Sequence, residues 1–221
     1  MTLVALTLET ALVGAQTLTP IVAAIQTQID RDFAPAWGAT AELRLIPRGG
    51  ALPSGCWTVR LLDRSDQAGD LGYHEDDGGN PESRIFVADV ERYAASLSVT
   101  LSHEILEMLA DPLTTRVFPL PDGRSAACEV CDPVEDDNLG YPIGGVQVSD
   151  FVTPAYFGQG SGPLDFQKHL AGACPTLTAG GYQLVYDPAS EAWNTITARR
   201  ADGSFGWRFL RRGRGWWRAR A

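Results

Sequence analysis

Residues 2–8 interleave apolar side chains with threonine (Thr2-Leu3-Val4-Ala5-Leu6-Thr7-Leu8), which predicts a strand. Thr19-Pro20 then opens a helix, with Thr19 as N-cap and Pro20 at the first helical position. Ile21, Val22, Ile25, Ile29 and Phe33 supply its buried face, and Pro35 ends it. Residues 41–46 and 56–62 read as strands on either side of the punctuation Pro47-Arg48-Gly49-Gly50. Residues 71–74 form a short edge strand, 75–81 an acidic, glycine-rich turn, and 85–87 a compact buried strand. From 89 to 110 the pattern is helical, with a break near Ser96 or Ser98, and Pro112 stops it because a residue before proline is pushed out of the helical region.

Beyond residue 113 the regularity falls away. A turn at 119–124 precedes an acidic run, short strands at 146–148 and 151–152, and a glycine-rich loop; strands at 180–186 and 192–197 close the pattern. No internal repeat is visible. The order β-α-β-β-β-α, followed by an irregular half, predicts an α/β fold of the α+β kind: a mixed sheet, one long helix and a loop-rich second half.

At 221 residues the chain can bury one substantial core, and no apolar run reaches the length of a membrane span. The apolar N-terminus has no Lys or Arg ahead of it, so it reads as a first strand rather than a signal peptide, and a cytoplasmic location is expected. The four cysteines are too few and scattered for a disulfide scaffold. Cys128-x-x-Cys131 lacks the second pair that a four-thiolate zinc site needs, and reads as small residues at a core edge.

Charge divides the chain in two. The first 198 residues carry 10 basic and 26 acidic side chains, whereas 199–221 holds eight arginines and the single Asp202. Residues 1–198 therefore read as one domain and 199–221 as a basic, aromatic tail or a closing strand. Such a tail could contact nucleic acid, an anionic membrane surface or the acidic body of the chain itself.

The candidate chemistry sits on the second helix, in Ser102-His103-Glu104-Ile105-Leu106-Glu107-Met108-Leu109-Ala110-Asp111-Pro112. On a helical wheel His103, Glu107 and Asp111 fall at about 0°, 40° and 80°, opposite Leu101, Ile105, Met108 and Leu109. Ligands at i and i+4 can hold one ion while the carboxylate between them, Glu104, takes a proton from water. The familiar form of the motif has histidine where this chain has Glu107, and a carboxylate oxygen binds zinc at about the same distance. Asp111 lies at the predicted helix end, which makes it a doubtful ligand.

Three stretches together, residues 101–112, 128–137 and 148–157, resemble the zincin-like metallopeptidases. The specific likeness is to uncharacterised phage and prophage proteins with Ser-His-Glu-x-x-Glu-x-x-x-Asp-Pro followed by Glu-x-x-Asp. Gly72-Tyr73-His74 and residues 32–38 add to the likeness. The resemblance implies a zincin-like fold around one zinc ion, a peptide or protein substrate, and metal-activated water attacking a carbonyl. His103 and Glu107 are then ligands and Glu104 the general base. Glu129 is favoured as the third ligand, with Asp132 close behind as ligand or as acceptor for His103. His74 and Tyr156 are candidates for stabilising a developing oxyanion, and His74 also for ligation.

Two other readings stand beside this one. Asp132, Asp136 and Asp137, with Asn138 and Gly140, could chelate calcium, although their spacing is not that of an EF-hand. The chain could instead be a non-catalytic, phage-derived structural or interaction protein with a structural metal or none. His169 has no motif around it and is given no function.

Overall fold

The structure is a computed structural model that describes residues 1–67 and 70–204. Strand β1 (Thr2–Leu8) leads into helix α1 (Ala15–Gln28), a π-helical turn (Ile29–Phe33) and the short α2 (Ala34–Trp37). Strands β2 (Ala41–Ile46), β3 (Trp57–Leu62), β4 (Gly72–Asp76) and β5 (Pro81–Phe86) follow, then helices α3 (Val87–Arg92) and α4 (Leu97–Ala110). These five strands form one mixed sheet in the order β2-β1-β3-β5-β4, parallel throughout except for the antiparallel edge strand β4.

The second half is built from β6 (Val117–Pro119), β7 (Ser125–Ala127), β8 (Tyr141–Ile143), β9 (Val146–Val148), β10 (Tyr182–Asp187) and β11 (Ala192–Thr197). They make an antiparallel sheet β11-β10-β7-β6 and a separate hairpin β8-β9. The α/β expectation with a loop-rich second half is met. Residues 151–152 form no strand but a single bridge, Val152 to Asp165.

Alternation along β1 divides the core as a strand must. Val4, Leu6 and Leu8 join the main core with α1 and α4, while Leu3 and Ala5 pack on the other face with Ile46 and Cys56. The main core runs on into the second half through Phe118, Val130, Phe151 and Val185, so both sheets share it.

Helix α1 departs from expectation at both ends. It begins at Ala15, not after Thr19, and Thr19 caps nothing; its hydroxyl donates to Ala15 O. The added turn brings Leu18 fully under cover, and the exposed Pro20 sits inside the helix. Burying that leucine offsets the hydrogen bond that proline cannot donate. Nor does Pro35 end the helix. The chain widens into the π turn before it, which accommodates a residue without N–H, and continues to Gly38, where φ of 70° gives a left-handed stop. The π turn places Asp32 inward, where it accepts from Tyr141 Oη at 2.8 Å, while Gln28 donates to Ser149 O at 2.7 Å. Together with Trp37, which donates to Val152 O at 2.9 Å, these bonds tie the first helix to the loops of the second half.

Helix α4 begins just after the break expected near Ser96 or Ser98, and Ser96 caps it, its Oγ accepting from Val99 N. Every residue from Ser98 to Ala110 is buried, with the helix packed against β4, β5 and β9. The polar stripe of His103, Glu104 and Glu107 is thus enclosed rather than left at a surface. Among the described residues no helix is long and apolar enough to cross a membrane.

Candidate metal centre

Three segments meet at the polar stripe of α4. From the helix itself, one turn apart, come His103 and Glu107, with His103 Nε2 3.2 Å from Glu107 Oε2. The downstream segment is pinned against them by two backbone donors, Cys131 N to Glu107 Oε1 at 3.2 Å and Val152 N to Val130 O at 2.7 Å. That anchoring sets Asp132, the first residue of a single 3-10 turn (Asp132–Val134), with its Oδ1 3.1 Å from His103 Nε2. In this structure the His103–Asp132 contact is a hydrogen bond, and its length is also near the roughly 3.4 Å that separates two donors about 2.1 Å from one tetrahedral ion.

The third segment is β4. Its inward-facing His74 places Nδ1 3.7 Å from both Glu104 Oε2 and Glu107 Oε2, and Nε2 3.9 Å from Glu129 Oε2. Gly72 makes this approach possible. A Cβ there would lie 3.0 Å from Glu104 Cγ, Arg84 O and Ile85 Cδ1, so any larger residue would push the edge strand off the helix. Six expected residues are therefore brought together: His74, His103, Glu104, Glu107, Glu129 and Asp132. None is more than 3% exposed.

Four carboxylates and two imidazoles out of water strain one another electrostatically. Burial, and then the charges of Asp132, Glu129 and Glu104, hold the Glu107 carboxyl well above the usual range. Burial alone would lower the pKa of His74, but the nearby carboxylates of Glu104, Glu129 and Glu107 outweigh that and push it up to about 9. Glu107 Oε2, His74 Nδ1 and His103 Nδ1 make no hydrogen bond, which is unusual for buried polar atoms. A divalent cation would answer both the excess of negative charge and the open donor positions.

No protein family, curated protein or solved structure matches the chain. The chemistry rests on the geometry of the cluster alone.

The downstream acids divide their work differently from the order of preference in the sequence. Asp132 stands against His103, and Glu129 faces His74. Asp111 lies outside the cluster: its carboxylate accepts from Thr115 N and Arg116 N, at 3.1 and 2.7 Å, and shapes the turn after α4. Tyr156 is fully buried, its hydroxyl beside Cys174; burial and its neighbours push the phenol up, so it keeps its proton.

The calcium expectation finds no cage. Asp132 turns inward to His103, Asp136 pairs with Arg200 at 2.6 Å, and Asp137 accepts from Ser96 N at 2.7 Å, so the three acids serve three different partners. The Arg200 pair also ties the start of the basic tail to the acidic loop; residues 205–221, including Trp207 and Phe209, lie outside the described residues.

Sequence reasoning missed two features. Cys131, read as a core residue, joins His103 and Glu107 with donor atoms within 4.8 Å of one another. All four cysteines are free thiols. His169, given no function, has its Nδ1 3.0 Å from Asp150 Oδ2 and 3.6 Å from Asp165 Oδ2. There the acids mainly organise loop backbone: Asp150 accepts from Phe151 N and Gln167 N, and Asp165 from His169 N and Leu170 N. Only the i, i+4 spacing of Asp165 and His169 hints at that cluster in the sequence.

Proposed function

We propose that the protein is a metal-dependent hydrolase, with zinc as the ion and a peptide or protein as the substrate. The observation that carries the reading is the meeting of Glu107 and Asp132 at His103 Nε2, a carboxylate from each of two distant segments at 3.2 and 3.1 Å from one imidazole nitrogen. His103, Glu107 and Cys131 would hold the ion, with Asp132, hydrogen-bonded to His103 Nε2, as the further carboxylate at hand. Zinc bound there supplies a Lewis acid that polarises a carbonyl and makes water easier to deprotonate. Glu104, adjacent to His103 and not needed in that ligand set, is the carboxylate placed to accept the proton. Tyr156, held protonated by burial, remains a hydrogen-bond donor, with its hydroxyl beside Cys174.

Metal analysis of the purified chain and cleavage of a fluorogenic peptide library test this. The reading expects bound zinc, cleavage that stops on chelation, and a Glu104→Gln variant that keeps its metal and loses activity. Protein that takes up no divalent ion overturns it. One observation favours the second reading, a non-catalytic protein with a structural ion: the near-complete burial of all six residues, which leaves little room for a substrate at the stripe. Zinc-loaded protein that cleaves nothing and melts far lower after chelation would decide for that reading.

A further inference from the structure

We propose that the cluster is a two-ion centre, with the Glu107 carboxylate shared between one metal ion on the His103 side and a second on the His74 side. This rests on the metal reading above and adds a second site to it. Two separate triads have donor atoms within 4.8 Å of one another, His103 with Glu107 and Cys131, and His74 with Glu107 and Glu129; Glu107 is the member they share. Beside the first triad Asp132 Oδ1 is 3.1 Å from His103 Nε2, while Glu104, its Oε2 3.7 Å from His74 Nδ1, stays outside both ligand sets as the base.

Ligand count and charge count agree. A catalytic zinc takes about three protein ligands, whereas seven side chains converge here, two of them imidazoles that approach the same Glu107 oxygen at 3.2 and 3.7 Å. One divalent ion among four buried carboxylates and two neutral imidazoles leaves at least two uncompensated negative charges, which a second ion offsets. The shared residue also has the open atom that bridging requires. Glu107 Oε1 accepts from Cys131 N, while Oε2, fully buried, makes no hydrogen bond and lies between His103 Nε2 at 3.2 Å and His74 Nδ1 at 3.7 Å. That last distance is too long for a hydrogen bond and close to the spacing of two donors on one ion. His74 Nδ1, itself buried and without a hydrogen bond, is aimed at the same space.

The test is manganese loading of the chelated full-length chain, read by metal-to-protein ratio after desalting and by electron paramagnetic resonance. The proposal expects two ions per chain and an exchange-coupled signal, since ions sharing a carboxylate sit about 3.5–4 Å apart. His74→Gln should lower the ratio to one and restore the spectrum of an isolated ion. Glu129→Gln gives the same readout if His74→Gln does not fold. One ion per chain in the wild type overturns the second site and leaves the hydrolase reading standing, and no bound ion overturns both. Two ions without coupling place the second one elsewhere and overturn the proposal, as does a ratio of two in a folded His74→Gln chain.

Discussion

Glu107→Gln should change the sign of its effect on stability with the metal content of the sample. Glu107 Oε2 and Asp132 Oδ1 both lie within 3.2 Å of His103 Nε2, so the two oxygens are at most about 6.3 Å apart and, at an effective dielectric of about 20, repel by at least about 2.6 kcal/mol when both are charged. Glu129 and Glu104 add to that repulsion and His74 subtracts from it. Glutamine has the same shape, and its carbonyl can still accept from Cys131 N. In chelator the variant should therefore be more stable by about 2 kcal/mol, or roughly 4–8 °C in a chain of this size. With zinc at about a thousand times its dissociation constant, the wild type gains about 4 kcal/mol. The variant loses a charged ligand, and a hundredfold weaker affinity removes about 2.7 kcal/mol of that gain. The net result in zinc is a variant no more stable than the wild type and, as affinity falls further, less stable. Thermal denaturation followed by far-UV circular dichroism, in chelator and in zinc, measures both values. A variant destabilised to the same extent in both media would refute the reasoning, for Glu107 would then be an ordinary buried partner with no ion to serve.

The metal-free wild type should lose stability as pH rises from about 6.5 through 9. His74 has a folded pKa raised to about 9, so its contribution is complete below its unfolded value of about 6.5 and is lost above 9. The raised Glu107 carboxyl acts in the same direction; a flat melting temperature over that interval would count against the buried cluster. Gly72→Ala forces a Cβ to 3.0 Å from Glu104 Cγ and Arg84 O and should cost about 1–3 kcal/mol in chemical denaturation. Zinc affinity should fall with it, since the new methyl pushes β4 and His74 away from α4. Ser96→Ala removes the acceptor at the start of α4 and should cost about 1 kcal/mol in the same denaturation experiment, with the metal ratio unchanged. Tyr141→Phe leaves the buried Asp32 and Gln28 without a shared partner; a loss of about 1–3 kcal/mol is expected by urea titration.

Local pattern carried much of this molecule. The alternation of residues 2–8, the helix break near Ser96 and the one-turn spacing of His103 and Glu107 all depend on chain neighbours, and periodicity makes such features legible in the sequence alone. The proline beside Asp111 made that residue a doubtful ligand, and the structure places it outside the cluster. Where the pattern misled, a distant contact outweighed a local preference. Leu18 reached the core and drew the helix past Pro20, and a wide turn carried it through Pro35 to Gly38.

The site itself was legible only along α4. Which acid meets His103 depends on how residues 128–132 cross the helix, and that path is set by Cys131 N–H reaching Glu107 and Val152 N–H reaching Val130. His74 arrives from an edge strand whose distance from α4 is set by the missing side chain at Gly72. A sequence by itself determines which chemistry each element offers on which of its faces. Only the tertiary structure decides which faces meet and how dry the meeting place is, because those depend on packing between segments that are strangers along the chain.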